Sequence, residues 1–162
     1  MKNHSKQPIS SIIKLICFML LAVFFTASCN KDDDNSLLIN NQYLPNYQFD
    51  SQNTINTNLP QYNDLKFAGN YVVLPQYGIN GVVLFYAGSN QYSAFELSDP
   101  NHHLQTCSKL TMEGIIAHCS CDNDENSYEI FNGIGQEGTV GPYTLRRYFV
   151  EVNGDIIRVY NN

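Results

Sequence analysis

The last fifteen residues leave little choice of local structure. Tyr148-Phe-Val-Glu-Val152 and Asp155-Ile-Ile-Arg-Val-Tyr160 are β-branched and aromatic runs separated by Asn153-Gly154. An Asn-Gly pair between two such runs predicts a hairpin with a two-residue loop. Both turn residues need positive φ there, and Asn and Gly accept it at least cost. The same grammar recurs upstream. Asn70-Tyr-Val-Val-Leu74 reads as a strand. Gly81-Val-Val-Leu-Phe-Tyr86 is a continuous apolar run bounded by glycine, as expected for a strand buried on both faces. Gly88-Ser-Asn90 reads as a turn, and Gln91-Tyr-Ser-Ala-Phe-Glu-Leu97 as the antiparallel partner.

Weaker extended segments are expected at Tyr47-Gln48-Phe49, Thr54-Ile55 and Leu65-Lys66-Phe67. A polar stretch bearing Cys and His, 98–126, is interrupted by Gly114-Ile-Ile-Ala117. Tyr128-Glu-Ile-Phe131 is a further strand, followed by a turn at Asn132-Gly133. Many short strands with regular turns, and no long helical period, predict an all-β antiparallel sandwich or barrel.

The N-terminus is of a different kind. Lys2, Lys6 and Lys14 are not accompanied by any acidic residue before position 32, and Leu15 to Phe25 is apolar. That run suits a secretory h-region and is too short to span a bilayer. Thr26-Ala27-Ser28-Cys29 then resembles a bacterial lipobox. The resemblance implies a signal peptide over 1–28 and acylation of Cys29, with each buried methylene worth ~0.8 kcal/mol of membrane binding. The acidic run Asp32-Asp33-Asp34 resembles the export signal that sends lipoproteins of the Bacteroidetes group to the outer-membrane surface. Residues 29–46, polar and Asn-rich, are expected to form a tether, leaving 47–162 as one domain.

Without its leader the chain keeps six of its nine Lys/Arg against fifteen Asp/Glu, a net charge near −9. Such a surface repels phosphate backbones, which argues against nucleic acid as a partner. Beyond Cys17 and Cys29 there remain Cys107, Cys119 and Cys121. An odd number, in a compartment where disulfides persist, leaves one cysteine free, metal-bound or modified.

The order of these elements resembles a Rieske domain over about 70–160. The points that carry it are Tyr92-Ser-Ala-Phe-Glu96, His118-Cys-Ser-Cys121, Phe131-Asn-Gly133 and Gly141-Pro142-Tyr-Thr-Leu145 leading to Tyr148-Phe-Val150. A set of Bacteroidetes lipoproteins, sharing the anchor and an Asn-Leu-Pro tract like Asn58-Leu-Pro60, is more similar still. The resemblance implies a β-sandwich or barrel whose two loops form a cluster-binding tip. It also implies a ligand pattern of Cys-x-His, a gap of about 15–17 residues, then Cys-x-x-His, with two thiolates on one iron and two imidazoles on the other.

Here His102 and Cys119 match, with 16 residues between them. Pro100 and Asp122 stand where the other Cys and His belong. Sliding the first loop back one residue sets Asp99-Pro100-Asn101 against Cys-x-His and loses His102 as well. Carboxylate is a hard, poor substitute for thiolate on iron–sulfur. The ligand set is therefore vestigial, and no cofactor is expected.

The resemblance also implies a disulfide between the loops, Cys107 to Cys121, which leaves Cys119 as the odd thiol; Cys107–Cys119 is the rival pairing. His102, His103 and His118 with Cys119 make a candidate mononuclear metal site, although zinc-type spacing is missing. Arg146-Arg147 reads as an edge guard. Asp99 and Asp122 near His102 imitate an acid–base pair with nothing to fix a substrate beside them, so no enzyme is indicated. The expected function is that of a membrane-anchored, cluster-free binding or structural module with an envelope protein as partner. The alternative is a [2Fe-2S] electron-transfer protein.

Overall fold

The computed structural model describes residues 41–122 and 124–161. The signal peptide over 1–28, Cys29, the acidic run and the first part of the tether lie outside the described residues. Among the described residues no helix is long and apolar enough to cross a membrane.

The described residues form ten strands: β1 (Phe49–Asp50), β2 (Ile55–Asn56), β3 (Tyr71–Leu74), β4 (Val82–Gly88), β5 (Gln91–Glu96), β6 (Thr111–Glu113), β7 (Ile116–His118), β8 (Ser127–Glu129), β9 (Arg147–Asn153) and β10 (Ile156–Asn161). Seven of them form one antiparallel sheet in the order β1-β10-β9-β5-β4-β3, with β2 also paired to β10. The other three form a small antiparallel sheet, β6-β7-β8. The chain is all-β as expected. A large antiparallel sheet has a small one inserted between its strands, and the connections of the small sheet carry two loops.

Two cores lie on the two faces of β4 and β5. Val82, Leu84 and Ala94 join Ile55, Leu65, Leu74, Tyr148, Ile157 and Val159 on one side. Val83, Phe85, Phe95 and Leu97 join Leu110, Ala117, Tyr128, Ile130 and Leu145 on the other, against the small sheet. Because successive side chains of a strand point to opposite faces, a strand serving both cores must be apolar at every position. That is why 82–85 carries no polar alternation.

The β4–β5 hairpin closes through Ser89 (φ 50°) and Asn90 (φ 61°) between the paired Gly88 and Gln91, the type I′ pattern. The final hairpin departs by one residue from expectation. Ile156 pairs with Asn153, so the loop is Gly154-Asp155, not Asn153-Gly154. Only Gly154 has positive φ (59°), as in a type II′ turn, which needs glycine at its first central position alone.

Three further expectations are corrected. Leu65-Lys66-Phe67 is not extended: Pro60–Lys66 is a 3-10 helix. Proline near its start pre-sets φ, and Leu65 is buried in the first core. Gly114-Ile-Ile-Ala117 is not one segment, since Gly114 (φ 58°) and Ile115 form the turn between β6 and β7. Arg146-Arg147 guards no edge, because β9 lies between β5 and β10. Instead the Arg147 guanidinium sits 5.8 Å from the centre of the Phe95 ring, and Arg146 donates to the carbonyls of Leu44 and Pro45.

That last contact also shortens the tether. Residues 41–46 lie on the domain: Leu44 is buried, and Asn161 donates to the side chain of Asn46. The short polar run gave no periodicity to betray this, since it is held by hydrogen bonds to its backbone.

Candidate functional site

The tip is built from the loop between β5 and β6, the loop between β7 and β8, and the stretch that leads into β9. Cys107 and Cys121 are joined by a disulfide with their Cα atoms 4.8 Å apart, and among the described residues Cys119 is the free cysteine. The bridge ties the first loop to the second across a closed segment of 15 residues, given their separation of 14. Such a closure stabilises by ~3 kcal/mol if it acts through the unfolded chain's entropy.

In the first of these loops lies Asp99, with no exposed surface. Its Oδ1 accepts from the Tyr128 hydroxyl (2.7 Å) and from the Asn101 backbone N–H (2.9 Å), and its Oδ2 from the Asn126 side-chain amide (3.0 Å). Both asparagines extend the network. Asn101 Nδ2 donates to the Tyr128 hydroxyl (3.0 Å) and the Tyr143 carbonyl (2.8 Å), while its Oδ1 accepts from the Tyr143 N–H (2.9 Å). Asn126 Oδ1 accepts from the Val140 N–H at 2.7 Å. One carboxyl thus organises three loops. Gly141 makes room for it: with φ 111°, a Cβ there would strike the side chain of Asn101. No buried side-chain nitrogen or oxygen among the described residues lacks a partner, as a polar interior requires.

The expected ligand residues take other roles. His102 Nδ1 lies 2.7 Å from the carbonyl oxygen of His103, so that nitrogen carries the proton and donates. Its Nε2 stands 3.9 Å from Asp124 Oδ2. Cys121 Sγ, also 3.9 Å from His102 Nδ1, is already spent in the bridge. Pro100 is buried, and its carbonyl accepts from the Asn41 side chain at 2.7 Å. Asp122 is exposed. His103 packs edge-on against Tyr43, 4.9 Å between ring centres, and His118 pairs across a turn with exposed Glu113 at 3.8 Å.

The groups that do converge are Asp99, Cys119 and Asp124, whose ligand atoms lie within 4.8 Å of one another. None of the three loop histidines joins that group, so the sequence-derived set of His102, His103, His118 and Cys119 is corrected. Strand pairing explains why: His118 ends β7 opposite Thr111 and Ser127, facing Glu113.

Cys119 is a partly buried thiol whose Sγ donates weakly to the Cys107 carbonyl at 3.9 Å. Burial, above all, pushes its pKa up to about 11, and the negative charges of Asp99 and Asp124 add to this against a backbone hydrogen bond from Cys121. Burial and the bond to Asp99 likewise raise the Tyr128 phenol well above its ordinary range.

A [2Fe-2S] cluster does not fit this donor set. It needs two thiolates on one iron, whereas the tip offers one thiol held protonated, a histidine nitrogen committed to a carbonyl, and a carboxyl whose oxygens already accept three hydrogen bonds. The arrangement fixes loops in place and leaves a poorly nucleophilic thiol.

Sequence reasoning found His102, Cys107, Cys119 and Cys121 but missed Asn101, Asp124, Asn126 and Tyr128. The available signal was the Asp-Pro-Asn and Asp-x-Asn spacing. Asp99 accepts from the N–H of Asn101, and Asp124 from that of Asn126, each two residues on.

Two outcomes are expected. Tyr128→Phe removes one donor from Asp99 and strands one donor of Asn101, lowering unfolding free energy by about 1–3 kcal/mol in urea titrations. Cys119 should be alkylated slowly at neutral pH, with a rate that climbs to an inflection near pH 11. The raised pKa means the folded chain holds this proton more tightly than the unfolded one. Its contribution to stability is therefore complete below pH 9 and is lost as pH rises towards 11, a slope that Cys119→Ala should flatten.

No protein-family model matches this chain, and no curated protein matches it. Among solved structures it is similar to a chain of the complex of reduced oxygenase and oxidised ferredoxin in carbazole 1,9a-dioxygenase. The identity is 20%, 57% of this chain and 82% of that chain are covered, and the TM-score is 0.38. At that score the likeness carries no step of the argument, and the all-β assignment stands on the strands themselves.

Proposed function

We propose that this chain is a lipid-anchored cell-envelope protein whose Rieske-like domain works without a cluster, as a binding or structural module. The observation that supports it best is the Asp99 network. Next to the position where the family pattern calls for a cysteine stands a buried carboxyl that accepts three hydrogen bonds and gathers the loops itself. A disulfide links the same loops. Rigidity that a metal centre would otherwise supply comes from a covalent bridge and an enclosed polar net. Such a tip suits the presentation of a fixed surface to an envelope protein partner; the arrangement offers no substrate-fixing groups, and no enzymatic step is proposed.

Anchorage is read from the leader and Cys29, and placement on the outer-membrane surface from the acidic run that follows. Two acyl chains or more hold a protein stably where one does not.

Purified anaerobically with iron and sulfide supplied, the protein should be colourless, folded and free of stoichiometric iron. A red-brown preparation with a reduced-state EPR signal would overturn the cluster-free reading in favour of electron transfer. Cys29→Ser should abolish incorporation of a palmitate analogue and release the protein from the membrane fraction; continued labelling sinks the anchor assignment.

A further inference from the structure

Among the described residues the sheet ends at β3, and no strand covers that end. In the β3–β4 ladder the residues paired through hydrogen bonds are those in step with Asn70, whose carbonyl accepts from the Tyr86 N–H at 2.9 Å. Val72 and Leu74 follow the same phase, because antiparallel residues alternate between bonded and non-bonded pairs. Tyr71 and Val73 consequently direct their N–H and C=O away from β4. No other strand lies beyond β3, and no backbone bond from these four groups to a turn or loop occurs among the described residues.

Edge strands in water are ordinarily blunted by charge, proline or a bulge. Here Asn70-Tyr-Val-Val-Leu74 carries no charge, and proline arrives only at position 75. Val73 is 41% exposed. An apolar strip continues from it on the same face: Tyr71 pairs with Phe85, whose ring meets that of Phe131 edge-on at 6.2 Å. Phe131 is 56% exposed.

We infer that the β3 edge joins two copies of this chain, antiparallel, about a two-fold axis at Val72. A second copy satisfies this register in full. Four outward groups on each copy are all satisfied when Tyr71 lies opposite Val73 of the second copy and Val73 opposite its Tyr71, giving four N–H···O=C bonds. That register is symmetric, so the surface is complementary to itself, as an isologous contact must be. It places the exposed Val73 side chain against a tyrosine ring, a favourable cross-strand pair, and brings the two apolar strips to either side of the axis. The pairing rests on neither the anchor nor the tip. It also has a distinctive salt dependence. The edge is uncharged while each chain is strongly acidic, so screening weakens only the repulsion and association should strengthen with salt.

The full chain in detergent, followed by analytical ultracentrifugation, should show a concentration-dependent monomer–dimer equilibrium that shifts towards dimer as salt is raised. Val73→Lys puts a like charge at each end of the pairing and should weaken the dimer at least tenfold, while circular dichroism stays that of the parent. In a Cys119→Ser background, Val72→Cys should form an intermolecular disulfide on oxidation. The two-fold register sets this residue opposite itself in a non-bonded pair, whose Cα spacing of ~4.5 Å suits a bridge. Gln61→Cys, on the exposed side of the 3-10 helix, should not cross-link. A monomeric mass at every concentration and salt level overturns the inference, as does cross-linking through Gln61→Cys in preference to Val72→Cys, or a dimer that Val73→Lys leaves intact.

Discussion

A carboxyl group with no exposed surface has to be met by donors, because removing it from water without them costs several kcal/mol. Asp99 meets that requirement through one tyrosine, one asparagine side chain and one backbone N–H. The demand propagates outward. Asn101 and Asn126 can serve Asp99 only if their remaining polar atoms are also satisfied, and they find those partners in the stretch 140–143. The three loops therefore have one mutually consistent arrangement. The disulfide, Gly141 and the buried hydroxyl of Tyr128 are all consequences of keeping it. A second enclosed carboxyl, Glu96, plays a comparable part in the large sheet. It accepts from the N–H groups of Ile79 and Asn80, from Ser98 and from Tyr148, and so fixes the loop between β3 and β4.

Glu96 and Asp99 are three residues apart, at the end of β5 where the large sheet gives way to the small one. The Ser98 hydroxyl donates to Glu96, and a backbone bridge joins Ser98 to Lys109. The polar anchors of the main sheet and of the tip are thus consecutive along one strand exit, and both cores share β4 and β5. Rigidity in the tip is inherited from the strands that carry it.

Much of the fold is legible in the sequence. Where residues 82–85 are apolar at every position, two-sided burial was the sole consistent reading, and it holds. Turn chemistry is also readable, though Asn-Gly fits type I′ and so points to Asn153 as a turn residue; Asp155 allows II′ instead, and the loop moves by one. The 3-10 helix after Pro60 was missed because a single buried leucine sets no period. At the tip, the residue types known for chemistry, Cys, His and Asp, stand out in the sequence. Asparagines that work by distributing hydrogen bonds have no comparable signature. Their partners lie 14 to 42 residues away in sequence, and no local pattern reports a contact at that range.

The way the chain arrives at this domain also matters. Asn41 grips the carbonyl of Pro100 directly after Asp99, Tyr43 rests on His103 and Tyr143, and only afterwards does Arg146 clasp Leu44 and Pro45 and β1 zip onto β10. Among the described residues the Asn41–Pro100 clasp thus precedes every strand. The segment so held is the one carrying Asp99, and further along the same loop Cys107 is tied to Cys121 of the neighbouring loop.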